Sequence, residues 1–270
     1  MPWTFAHAAA VIPLKKIFPK KLHFLGLVIG SFTPDFGYYI GQTHLSHFSH
    51  SFSGLFLACI PIGIFLTYFL SLMGKYFSII LPEPHRFAFY HLTCIEKIES
   101  LKELALLPIA VFIGSLTHIV WDSFTHAGRW GVVHIEILKN EAFRIGTLIF
   151  YGHSLMQYLS SIVGAAIILW IYINWLKKNN LTFFTRGPEE YWRYKLIAFL
   201  IILSLIASFP IAYFHTNHIS GALAINAFVV DLAFVFIPVF FISVIVSTLY
   251  LKHVKKLPID KNCSNDKEMH

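Results

Sequence analysis

Apolar positions along this chain fall into long uncharged runs, separated by short polar and basic connectors. Residues 45–74, 104–121, 145–176, 196–230 and 232–251 contain no Lys, Arg, Asp or Glu. A spanning helix needs about 20 mostly apolar residues. Lipid leaves an unpaired backbone unsatisfied, so runs of this length read as helices rather than loops. The pattern predicts spans near 22–40, 52–73, 104–122, 147–174, 196–213 and 222–250, with the polar turn "FHTNHISG" parting the last two. Pro34 and Asp35 interrupt the first, while Pro61, Pro108, Pro210 and Pro238 sit in or beside spans, where membrane helices tolerate proline. A surface helix is expected over 85–104.

The expected fold is an all-α polytopic transmembrane bundle of about six spans. A short N-terminal helix forms a hairpin with the first. Residues 1–251 read as one transmembrane domain, with the motif-bearing part in 1–175. Residues 252–270 read as a polar tail without fixed structure.

Composition strengthens this picture. Hydrophobic residues make up 56% of the 270 and charged residues only 13%, about half the usual share for a soluble domain. Charge orients it. Of the 21 Lys and Arg residues, only Arg129, Lys139 and Arg144 fall on one side of the expected spans. The other side holds the rest, including "KKIFPKK", and should be cytoplasmic, as should the C-terminus. The net charge of +7 is then a topology signal; no nucleic-acid module accompanies it. Cys59, Cys94 and Cys263 lack the paired spacing of a Cys-type zinc site or a disulfide framework.

Three acids lie within the apolar segments: Asp35, Asp122 and Asp231. Intramembrane ionisable groups are costly and commonly functional. His7 precedes Lys21 by 14 residues and Asp35 follows it by 14. A hairpin turned there brings both to one level, about 20 Å from the turn. His118, Asp122 and His126 recur at four-residue intervals and share one helical stripe. The run "THLSHFSHS" adds His44, His47 and His50. On the following span His153, Gln157 and Ser160 or Ser161 share a face. Imidazole with carboxylate suits a divalent metal, foremost zinc, with manganese or iron as alternatives. Such a metal supplies a nucleophile for ester or phosphoester hydrolysis. His44, His153, His215 and His218 read as helix caps or hydrogen-bonding residues. Asp231 reads as pairing with a polar neighbour, and Gly30, Gly114 and Gly128 as serving close helix packing.

The segments "MPWTFAHAAAVIPLKK", "VIGSFTPDFGYYI", "SHSFSGLFL", "GSLTHIVWDSFTHAGRW" and "LMQYLSSIVG" resemble a bacterial integral-membrane family known only as domain of unknown function 4184. The resemblance covers roughly residues 1–175. More distantly the pattern is similar to membrane-bound metal-dependent hydrolases. Those open with a Thr-His pair, where this chain has Ala6 before His7. The resemblance implies His7, Asp35, His50, His118 and Asp122 as metal ligands, in a bacterial cytoplasmic membrane. The expected function is a metal-dependent hydrolase acting on a lipid-linked or envelope ester or phosphoester at an outward-facing site. Asp35, Asp122 and His126 are the catalytic candidates, and Gln157 with His126 would position substrate. Membrane lipids are the expected partners. The alternative is a transporter or assembly factor whose cluster relays protons or passes metal ions. A haem protein ranks last, because regular His pairs on two spans are lacking.

Overall fold

A computed structural model describes residues 3–19, 22–146, 148–181, 190–221 and 223–255. The chain opens with a 3-10 turn, Thr4–His7, continuing into α1 (Ala8–Ile17). Helix α2 (Phe24–Gly30) returns antiparallel to it, so the expected hairpin forms. The predicted span over 22–40 is not one helix. It ends at Gly30, turns through the 3-10 segment Thr33–Asp35, and resumes as α3 (Phe36–Tyr39). Proline at the start of that turn offers no N–H to continue the helix.

Helix α4 (Thr43–Ser49) precedes a long apolar rod built of α5 (Phe52–Gly54), a π-helical stretch at Leu55–Cys59, and α6 (Ile60–Phe77). The rod starts tightly: a Cβ on Gly54 would lie 1.9 Å from the carbonyl oxygen of Phe48, so glycine is required there. Helix α7 (His85–Ile95) covers only half of the surface helix expected over 85–104. The chain breaks before α8 (Leu101–Thr125), where Ser100 accepts from the Glu103 amide at 3.1 Å and Glu103 accepts from the Ser100 amide at 3.1 Å. This reciprocal cap fixes the start of α8.

Short helices α9 (Trp130–His134) and α10 (Glu136–Lys139) follow. Next comes a hairpin, β1 (Glu141–Ile145) with β2 (Leu148–Tyr151), where a helical start was expected. Gly146 turns it with a φ of +60°, a conformation that suits hairpin turns and not helices. Helices α11 (Gly152–Lys178), α12 (Tyr191–Thr216) and α13 (Leu223–Lys255) complete the described chain. Helix α13 carries the ordered structure into the first part of the expected tail; residues 256–270 lie outside the described residues.

Among the described residues, five helices are long and apolar enough to cross a membrane: Phe52–Ile80, Leu101–His134, Gly152–Lys178, Tyr191–Thr216 and Ala224–His253. Their outward faces are apolar, with Phe65, Ile162, Trp170, Ile206 and Phe209 more than half exposed. Faces of this extent belong in lipid, and the protein is an integral membrane protein.

The chain forms two compact units. One comprises Met1–Gly37, Gln42–Tyr68 and Ile98–Lys178. Its core is Val11, Leu27 and Ala110, from α1, α2 and α8. Glycines bring α2 and α8 together. A Cβ on Gly30 would lie 2.3 Å from the Val111 carbonyl oxygen, and one on Gly114 would lie 2.2 Å from that of Leu27. Side-chain packing alone could not let these backbones approach so closely. The other unit comprises Tyr38–Gly41, Phe69–Lys97 and Asn179–His270. There α12 packs along α13 over Ile80, Leu200 and Leu251, and Arg193 donates to the Ile79 carbonyl at 2.9 Å.

Candidate metal centre

The first unit gathers its buried polar residues at one place. Asp35 ends the 3-10 turn after α2. The Thr33 hydroxyl, 2.8 Å from the Gly30 carbonyl and 2.9 Å from the Ser115 hydroxyl, fastens that turn to α8. Ser46 of α4 donates to the Pro34 carbonyl at 3.0 Å, which brings the end of α4 against the same turn. His50 caps α4 one helical turn beyond Ser46. His118 and Asp122 project from α8 one turn apart, as the spacing predicted. Thr4, at the start of the chain, donates its hydroxyl to Asp35 Oδ2 at 2.6 Å.

Both histidines are held by backbone carbonyls. His50 Nδ1 lies 2.7 Å from the Ser46 oxygen and His118 Nδ1 lies 2.8 Å from the Ser31 oxygen. A carbonyl only accepts, so each ring carries its proton on Nδ1 and turns Nε2 inward. Metal-ligating histidines are oriented in this way. His50 Nε2 lies 3.6 Å from Asp35 Oδ1 and 3.4 Å from Asp122 Oδ2. His118 Nε2 lies 3.6 Å from Asp35 Oδ1 and 3.3 Å from Asp122 Oδ2.

These separations can be compared with two geometries. An N–H···O hydrogen bond has its atoms about 2.7–3.2 Å apart. Two zinc–ligand bonds of about 2 Å at the tetrahedral angle hold their donor atoms roughly 3.3 Å apart. The four His–Asp separations, 3.3 to 3.6 Å, fit the second. The four donor atoms of Asp35, His50, His118 and Asp122 all lie within 4.8 Å of one another, and all four residues are buried. Asp35 Oδ1 and His118 Nε2 have no hydrogen-bond partner. A buried charge left uncompensated costs about 3–5 kcal/mol. The donor set therefore fits a divalent cation, and the cluster could hold one.

The chain matches the family model for "Domain of unknown function (DUF4184)" over residues 1–249. The chain belongs to that family. No curated protein and no solved structure matches it.

In this DUF4184 protein the other expected residues divide. His7 is buried and stacks on His118, ring centroids 3.9 Å apart, with Nε2 at 3.6 Å from Asp122 Oδ1. His126 lies just past the end of α8, yet its Nδ1 still reaches within 3.5 Å of Asp122 Oδ1. His118 and Asp122 share the helical face, and His126 joins them from the extended residue that follows the helix. Gln157 stands apart: its backbone carbonyl accepts from the Ser160 and Ser161 hydroxyls, and among the described residues its amide makes no hydrogen bond to the cluster. The two serines tie α11 to the site's surroundings, Ser160 accepting from Trp121 Nε1 and Ser161 from the Trp3 amide, each at 3.2 Å.

His44 and His47 are exposed, and His153 bonds the Leu138 carbonyl at 3.1 Å. His215 pairs with Asp231 at 3.0 Å, joining α12 to α13. The sequence reading missed Thr4 and the carbonyls of Ser31 and Ser46. Thr4 sits three residues before His7, one turn away, which was the available signal. Main-chain carbonyls leave no mark in a sequence.

Proposed function

We propose that this protein is a membrane-bound, metal-dependent hydrolase of a lipid-linked or envelope ester or phosphoester. Four buried ligand atoms close to one another, two from imidazoles and two from carboxylates, carry this reading. Two nitrogens and two oxygens suit zinc, with manganese or iron as the alternatives. A cation held by the cluster would supply Lewis acidity and, where a coordination position stays open to water, a nucleophile at neutral pH.

The protein's own groups do the rest. His50 and His118 hold their tautomers through Ser46 and Ser31. Thr4 orients the Asp35 carboxylate. Asp122 faces both directions, Oδ2 toward His50 and His118, Oδ1 toward His7 and His126. The side chain of His126 is 25% exposed against 4% for Asp122. It is therefore the member of the group nearest solvent and the one placed to meet substrate. The basic connectors lie inward by the positive-inside rule, which opens the site to the outer face of a bacterial cytoplasmic membrane.

The test is hydrolysis of chromogenic phosphoesters and short-chain esters by detergent-purified protein, first stripped with chelator and then reloaded with zinc or manganese. Metal-restored turnover that Asp122→Asn abolishes supports the reading. Metal uptake without turnover on either substrate class transfers the cluster to the alternative, a transporter or assembly factor. The row of His and Asp side chains from His126 to Asp35 favours that alternative, because the same groups could pass a metal ion along it.

A further inference from the structure

Asp122 turns its two oxygens to different neighbours. Oδ2 belongs to the four-residue centre. Oδ1 is buried without a hydrogen-bond partner, and two further imidazoles face it: His7 through Nε2 at 3.6 Å and His126 through Nδ1 at 3.5 Å. Neither nitrogen of His7 has a hydrogen-bond partner, although the residue is only 2% exposed. His126 Nε2 is likewise buried and unpartnered; its Nδ1 has one other polar contact, the Thr125 hydroxyl at 3.1 Å. A buried imidazole with both nitrogens unsatisfied is a costly arrangement, and stacking on His118 gives neither nitrogen a partner.

We propose that His7, Asp122 Oδ1 and His126 form a second cation site, and that the Asp122 carboxylate bridges it to the first. The inference rests on the reading that Asp35, His50, His118 and Asp122 hold a cation. The ligand–ligand separations of 3.5 and 3.6 Å match those of the first centre. The two sites differ in closure. The first is enclosed by four protein ligands, all with side chains at most 5% exposed. The second has three protein ligands and ends at His126, the most exposed of the group. Three ligands with an open position mark a catalytic site, four a closed one. Substrate therefore meets the protein at the second site. Paired cations stabilise both the attacking and the leaving oxygen of an in-line displacement, which favours phosphoesters within the proposed substrate class.

The experiment is metal stoichiometry by mass spectrometry on tag-free, detergent-purified protein loaded with manganese and desalted, for the parent, His7→Ala and His126→Ala. It is joined to electron paramagnetic resonance of the same samples. The expected result is about two ions per parent chain with an exchange-coupled spectrum, and about one with an isolated-ion spectrum in each variant. His126 lies beyond the last turn of α8, so His126→Ala gives the answer if His7→Ala does not fold. One ion in the parent, retained in both variants, overturns the second site and leaves the first. Two ions retained in both variants overturns the assignment of these ligands. No ion in the folded parent overturns both sites together.

Discussion

Thr4, Ser31 and Ser46 set the geometry of the centre without belonging to its charged set. Thr4 fixes one oxygen of Asp35 at 2.6 Å, which leaves the other, Oδ1, to face His50 and His118. Groups that orient metal ligands typically change affinity 10–100-fold when lost. Thr4→Val, close in volume and lacking the hydroxyl, should weaken cation binding by about that factor while leaving the helical content unchanged; calorimetric titration with circular dichroism checks both. His118→Ala should abolish binding at the first centre. At this scale the sequence was informative where chemistry resided in side chains at helical spacing: His118, Asp122 and His126 could be read from the interval of four. His7, Asp35 and His50 could be placed at the same end, but not in contact. The Ser31 and Ser46 carbonyls escaped notice because a main-chain acceptor exists at every residue, and only the fold decides which one meets an imidazole.

The elements carry these residues into register. Helices α2 and α8 meet at Gly30 and Gly114, and this crossing delivers the Ser31 carbonyl to His118 Nδ1. A methyl group on either glycine collides with main chain, which cannot rotate away. Gly114→Ala should therefore separate the helices, destabilise the protein by about 1–3 kcal/mol, and abolish cation binding although no ligand has changed. A thermal melt with metal analysis tests this. Ser100→Ala provides the contrast. It removes the cap of α8 far along the helix from the site, and should cost about 1 kcal/mol with metal content unaltered. Hydropathy made the long helices legible. It misjudged 22–40 because Pro34 and Asp35 end α2 early, and 148–151 because an uncharged stretch can pair as a hairpin when Gly146 turns it.

For the molecule as a whole, two features must hold together: apolar faces that need lipid, and a buried His/Asp cluster that could hold a cation. The five long helices satisfy the first. Orientation can be checked by single-cysteine labelling, in which a cysteine at Lys139 should react with a membrane-impermeant reagent in intact cells and one at Lys177 should not. The fold class was legible from the whole chain because lipid imposes long apolar helices on any sequence that crosses it. The pairing of helices was not, because backbone approach at glycine depends on tertiary contact. The cation claim is tested most directly by metal content. Tag-free protein and its His118→Ala variant would be purified side by side in detergent and their metals counted by mass spectrometry. At least about one zinc, manganese or iron per chain in the parent, lost in the folded variant, is the expected result. A folded parent that carries no divalent metal and takes up none on loading would contradict the account.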